Sequence, residues 1–239
     1  MRDHPISPIG IAVALAVLAA AESASAQQIS SPYRFIERGQ DLGPFVGWVA
    51  TDRGFADLGP KSSLIYGLQY TLRITNPLNL SVFGAYWPAE RDVIDPSTES
   101  GEPVVVGVEE MEIIAIAGRL QLNLTGSRTW HNLTPYIFAG LGLAVELTGD
   151  PGCVLNSTRA DCRILPRERF DFGNKVMGQA GVGTAWLPTG RIGFRLSIQD
   201  NIWRLETPEG YLDPGAQLSA PEDEWTNNFQ FTLAATFWF

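Results

Sequence analysis

The chain has 239 residues, with 17 basic and 26 acidic side chains and a formal charge of −9. That length suits one domain or two, and an acidic chain without a basic stripe argues against nucleic acid as a partner. Beyond residue 26 no apolar run approaches the length of a membrane-spanning helix, which excludes a helical membrane protein.

The amino terminus opens with an apolar run from Pro8 to Ala21, too short to cross a bilayer. Ala24-Ser25-Ala26 follows it as a small-x-small cleavage site, so residues 1–26 read as a signal peptide for export. Gln27, not a cysteine, follows the cut, which argues against a lipid anchor. Residues 27–43 are longer than a bare leader. Ser31-Pro32 has the form of a helix start, Tyr33, Phe35 and Ile36 supply an apolar side, and Glu37 and Asp41 share another face. A short helix over 32–42 is one reading and an unordered leader is the other.

Eight segments of alternating polarity follow. They run from Pro44 to Thr51, Ser62 to Ile74, Leu78 to Trp87, Met111 to Thr125, Thr134 to Leu147, Asn174 to Trp186, Arg191 to Arg204, and Asn228 to Phe239. In the second, Leu64, Tyr66, Leu68, Tyr70, Leu72 and Ile74 share a face, against Gly67, Gln69, Thr71 and Arg73. Similar alternation sets Ile114, Ile116, Leu120 and Leu122 opposite Arg119 and Gln121, and Ile192, Phe194, Leu196, Ile198 and Ile202 opposite Arg195 and Gln199. Segments of this length match the roughly 9–11 tilted residues a strand needs to cross a bilayer. The connections alternate too. Thr75-Asn76-Pro77, residues 126–132 and Leu187-Pro188-Thr189-Gly190 are short, whereas residues 88–110, 148–173 and 206–225 are long. Many strands without a spanning helix are best satisfied by a closed barrel, which leaves no edge.

The last segment alternates strictly and ends on an aromatic: Phe229, Phe231, Leu233, Ala235, Phe237 and Phe239 lie on one face and Gln230, Thr232, Ala234 and Thr236 on the other. In a soluble sheet such a strand would be an aggregation hazard, but lipid requires that face. With this strand and the short-turn, long-loop asymmetry, the chain resembles the small eight-stranded outer-membrane barrels, the OmpA/OmpX-type group, without a periplasmic domain. The resemblance implies an all-β fold, an eight-stranded antiparallel up-and-down transmembrane barrel over residues 44–239, with 27–43 as a periplasmic amino-terminal segment. It implies short turns in the periplasm and long loops outside. It also implies that the barrel assembly machinery reads Phe239, with Phe237, Leu233 and Phe231, as an assembly signal. The protein is expected to be a monomer in contact with outer-membrane lipid and lipopolysaccharide, and no cofactor is expected.

The residues that chemistry would need are sparse. The mature chain has one histidine, His131, in an expected periplasmic turn, away from the outer leaflet where known barrel hydrolases and acyltransferases act. No cluster has metal-ligand spacing and no glycine-rich phosphate loop is present. Cys153 and Cys162 lie within one long loop, and export lets them pair as a staple or as a preformed recognition tip. The loops at 88–110 and 206–225 are acidic, and the loop between them carries Arg159, Arg163, Arg167 and Arg169. These charges suit a solvated surface, bridging of divalent cations, or recognition of a cationic partner.

Arg73, Arg119 and Arg195 point into the expected lumen, where the clear strand acid is Glu146. An eight-stranded barrel is filled by side chains, so unpaired arginines there are costly. Water, Glu146, or Glu37 or Asp41 of the amino-terminal segment acting as a plug could supply the counterions. The leading expectation is a non-enzymatic barrel with a structural or surface-interaction role carried by its loops. A narrow ion or small-solute pore is the alternative, and a lipid-modifying barrel enzyme a third.

Overall fold

The computed structural model describes residues 31–96, 104–148, 153, 158–212 and 220–239. The expected signal peptide lies outside the described residues. The described chain contains ten strands: β1 (Tyr33–Phe35), β2 (Gln40–Ala50), β3 (Ser63–Arg73), β4 (Leu78–Asp95), β5 (Val104–Asn123), β6 (Arg128–Trp130), β7 (Leu133–Glu146), β8 (Asn174–Trp186), β9 (Ile192–Glu206) and β10 (Asp223–Trp238). β2, β3, β4, β5, β7, β8, β9 and β10 pair antiparallel in that order, β6 lies between β1 and β7, and β10 returns to β2 from Phe229–Ala50 down to Trp238–Asp41. The wall is therefore a closed eight-stranded barrel of β2, β3, β4, β5, β7, β8, β9 and β10, with no free edge.

Alternation positions every side chain. Along β10 the exposure pattern switches residue by residue, sending Phe229, Phe231, Leu233 and Phe237 outward and Asn228, Gln230, Thr232 and Thr236 inward. The outer face is a band of Leu, Ile, Val and aromatic residues that would be untenable in water but suits lipid. Inward glycines make room for large neighbours: a Cβ on Gly67 would fall 2.7 Å from the Phe45 ring, which instead stacks on Phe83 at 4.7 Å.

Three expectations need correction. Residues 32–42 are not helical: Tyr33–Phe35 is a strand, and β2 starts at Gln40 rather than Pro44. The reason is tertiary. β6 offers an edge, and Tyr33, Arg34 and Phe35 pair with Trp130, Thr129 and Arg128. A backbone offered a ready ladder need not form an isolated helical turn, whose nucleation is unfavourable. Second, most of residues 88–110 is not loop, because β4 and β5 continue far past the expected strand ends. Their alternation persists, with Arg91 and Val93 buried, but the charged residues hid it. Third, β10 starts at Asp223 rather than Asn228, so the end of the expected 206–225 loop is strand.

Candidate functional site

The half of the lumen nearer the short turns is a polar network built from β2, β5, β7, β8, β9 and β10. Asp41, the first inward residue of β2, meets Arg195 on β9, with Oδ2 2.5 Å from Nη2. Both side chains are almost wholly buried, at 1% and 3% exposure. Arg195 also donates to Gln121 Oε1 at 3.0 Å and lies over the rings of Tyr136 and Trp238. Arg119 has no carboxylate partner among the described residues. It donates from Nε to Gln179 Oε1 at 2.6 Å and lies 3.7 Å over the Phe83 ring, a placement that a planar, weakly hydrated guanidinium tolerates. Gln179, Asn201, Gln199 and Gln230 extend the network through amide hydrogen bonds. A cavity of about 10 Å³ beside Asp41, Tyr136 and Arg195 has room for about one water.

The amino-terminal strap crosses the mouth at the short-turn end. Arg73 donates to the carbonyls of Ile36 and Arg38 at 3.0 and 2.8 Å, and Arg38 donates to the Gly190 carbonyl in the β8–β9 turn. Ile36 is buried against Tyr136, Phe138, Leu187 and Trp238. Thus Asp41 faces a lumen arginine, whereas Glu37 is exposed and lines an open cleft of about 290 Å³ with Arg34, Thr129, Asn132 and Thr189. Glu146 lies at the opposite end of the lumen and accepts the Phe172 N–H at 3.1 Å.

The half nearer the long loops is mainly apolar. Trp87, Met111, Ile113, Met177 and Trp203 point inward, and Phe170 and Phe172 descend from the β7–β8 loop to join them. Trp203 contacts both Trp87 and Phe172 with ring centroids 5.8 Å apart. Tyr211, from the β9–β10 loop, is buried here and donates its hydroxyl to the Ile94 carbonyl at 2.6 Å. Burial pushes that hydroxyl's pKa up, and Glu168 and Asp95 push in the same direction.

Above this core the loops lock together as a platform. Arg91 on β4 donates from Nη2 to both carboxylate oxygens of Asp161 at 2.7 Å, and both residues are buried. Asp161 belongs to the single turn Ala160–Arg163, which packs on β5 where Gly107 leaves space for Ala160. Glu109 accepts the Ala160 N–H at 2.5 Å and pairs with Arg159 at 3.3 Å. Cys162, beside Asp161, is disulfide-bonded to Cys153. In the β2–β3 loop, Arg53 and Lys61 hold Asp92 at 2.8 and 2.6 Å. Burial works against the Asp92 charge, yet the Lys61 and Arg53 contacts leave its pKa below the ordinary value.

Among solved structures, OprG of Pseudomonas aeruginosa is 11% identical, with 88% of this chain and 99% of that chain covered and a TM-score of 0.50. Neisserial surface protein A is 10% identical over 87% of this chain and 98% of that one, with a TM-score of 0.47. Escherichia coli outer membrane protein W is 11% identical over 84% and 98%, with a TM-score of 0.45. No protein-family model and no curated sequence matches the chain. The chain has the fold of the small eight-stranded outer-membrane barrels. With its apolar outer band, that fold places the protein in the outer membrane.

On the outer face of the barrel, Phe239 is exposed, stacks on Phe237 at 6.3 Å and donates its N–H to the Gln40 carbonyl at 3.0 Å. His131 is exposed in the β6–β7 turn, edge-on to Trp130 at 4.9 Å, and it and Asn132 take positive φ values of 49° and 64°. Two left-handed residues suit the tight turn that joins strands of natural twist. Asp200 accepts the Asn228 N–H at 3.0 Å. Among the described residues no group of three or more His, Cys, Asp or Glu could hold a metal. Sequence reasoning missed Asp200, Asp161 and Arg91. The first showed only as a gap in an apolar stripe, and the other two sit in segments of mixed charge whose pairing is long-range.

Proposed function

We propose that the protein is a non-enzymatic outer-membrane barrel whose working surface is its extracellular loop platform. The observation that carries this reading is the buried Arg91–Asp161 pair, which fixes the β7–β8 loop onto the extended β4–β5 hairpin. A loop without a task is ordinarily left mobile, and a preorganised surface lowers the ordering cost of binding. The outward-facing acids Glu90, Glu110, Glu112, Glu206, Glu209 and Glu222 are exposed, so the partner class that fits is cationic.

The filled lumen supports a barrel that does not conduct: Arg119, Phe83 and Phe138 pack across its middle, and Phe172 and Trp203 across its outer end. The exposed His131, remote from the platform, supports a non-enzymatic reading. Phe239, with Phe237, Leu233 and Phe231, is proposed as the signal for the assembly machinery, and deleting Phe239 should reduce membrane-inserted protein. The test of the main reading uses protein in lipid nanodiscs. A polycationic peptide should bind with a strong salt dependence, and Glu90→Gln with Glu110→Gln should weaken it several-fold. Undiminished binding by that variant, or stepwise conductance of the parent in planar bilayers, would overturn the reading.

A further inference from the structure

Below the barrel wall the β5–β7 hairpin overshoots, and β6 with β1 forms a short ribbon whose two faces differ. Thr129 is 5% exposed on the inner face, turned to the mouth. Alternation puts Tyr33, Phe35 and Trp130 on the other face, at 48%, 67% and 48% exposure. That face continues the lipid-facing wall, because Trp130 pairs directly with Leu133 at the base of β7. The ribbon also emerges beside the periplasmic ends of β8, β9 and β10, where Trp186, Phe194, Phe237 and Phe239 are exposed outward as an aromatic girdle.

Three exposed aromatics at that level would be a liability in water and are favoured at the boundary of hydrocarbon and headgroup. Charge narrows the occupant. The Arg128 guanidinium lies 4.6 Å over the Phe35 ring on this same outward face, and Arg128 pairs across the ribbon with Phe35. The nearest acid on the strap, Glu37, lines the periplasmic cleft with Arg34 and Arg38. A guanidinium held over a ring at the membrane boundary can still present its N–H groups to a phosphate, which it can bind bidentately.

We propose that the outward face of the β1–β6 ribbon is a docking surface for anionic phospholipid of the periplasmic leaflet. Tyr33, Phe35 and Trp130 enter the boundary layer and Arg128 takes the headgroup phosphate. The strap would then do more than cover the mouth, since it would fix the ribbon in register with the lower leaflet.

The test uses full-length protein with its disulfide intact, so that a Tyr33→Cys substitution gives a single labelling site for an environment-sensitive fluorophore. In nanodiscs of phosphatidylcholine mixed equally with phosphatidylglycerol, the label should be shielded from iodide and quenched by lipid carrying a shallow spin label. In phosphatidylcholine alone the shielding should fall about fivefold, and Arg128→Gln should abolish the difference between the two lipids. Full iodide access in both nanodiscs, or equal shielding in both, would overturn the assignment. Phe35→Ser, which leaves the charge in place, should reduce shielding in both lipids, and no change would count equally against it. Heat-modifiability of each variant on gels establishes that the barrel has formed.

Discussion

The two halves of the lumen solve one packing problem with opposite chemistry. The half nearer the short turns buries two arginines, one carboxylate and a run of amides, and the half nearer the long loops buries tryptophan, methionine and phenylalanine. The polar half is built almost wholly from the wall strands. The apolar half takes Phe170, Phe172 and Tyr211 from loops. The difference teaches that wall residues can be polar where the wall itself supplies their partners in fixed register. Loop side chains hold a lumen closed most simply by apolar contact, which needs no register.

That contrast can be broken from either side. The largest effect should come from Asp41→Ala, which leaves Arg195 buried without its carboxylate. We expect a loss of about 3–5 kcal/mol in urea unfolding from lipid vesicles, and near-parental stability when Asp41→Leu is combined with Arg195→Met. A single variant as stable as the parent would show that the polar half does not depend on the pair. Next, Trp203→Ala should cost about 3 kcal/mol by opening a cavity between Trp87 and Phe172. It should also raise the protease sensitivity of the β7–β8 loop, a response that Asp41→Ala should lack.

Arg91→Gln should act locally. Gln can still donate one hydrogen bond to the buried Asp161 carboxylate, so the loss is about 1–3 kcal/mol, seen as faster loop cleavage while the barrel transition stays in place. Acid should loosen the platform as well. The folded-state pKa of Asp92 is lowered, so its contribution is present at pH above its ordinary value and is lost as pH falls through the lowered one. Loop proteolysis with an acid-stable protease should therefore rise as pH drops below about 4, and Asp92→Asn should remove much of that pH step. Reducing the Cys153–Cys162 disulfide should have the smallest effect on the barrel. Its urea midpoint should hardly move, because the bond lies outside the ladder of wall strands.

The wall was legible because strand alternation is local. Ser62–Ile74 and Thr134–Leu147 declare two faces without reference to any partner, and the structure gives Ser63–Arg73 and Leu133–Glu146. The inward positions of Arg119 and Arg195 follow from the same parity, since a one-residue shift would turn every side chain over. The outward run of β10 follows likewise, down to Phe239. The partners were not legible in this way. Asp41 and Arg195 are separated by 154 residues, and Arg91 and Asp161 by 70. Which carboxylate meets which guanidinium depends on barrel closure and on strand register around it, and no local pattern carries those. The same holds for Tyr33–Phe35, whose own sequence admits a helix start. The free edge of β6 decided that it became a strand, because backbone groups pair with whatever the assembled fold sets beside them.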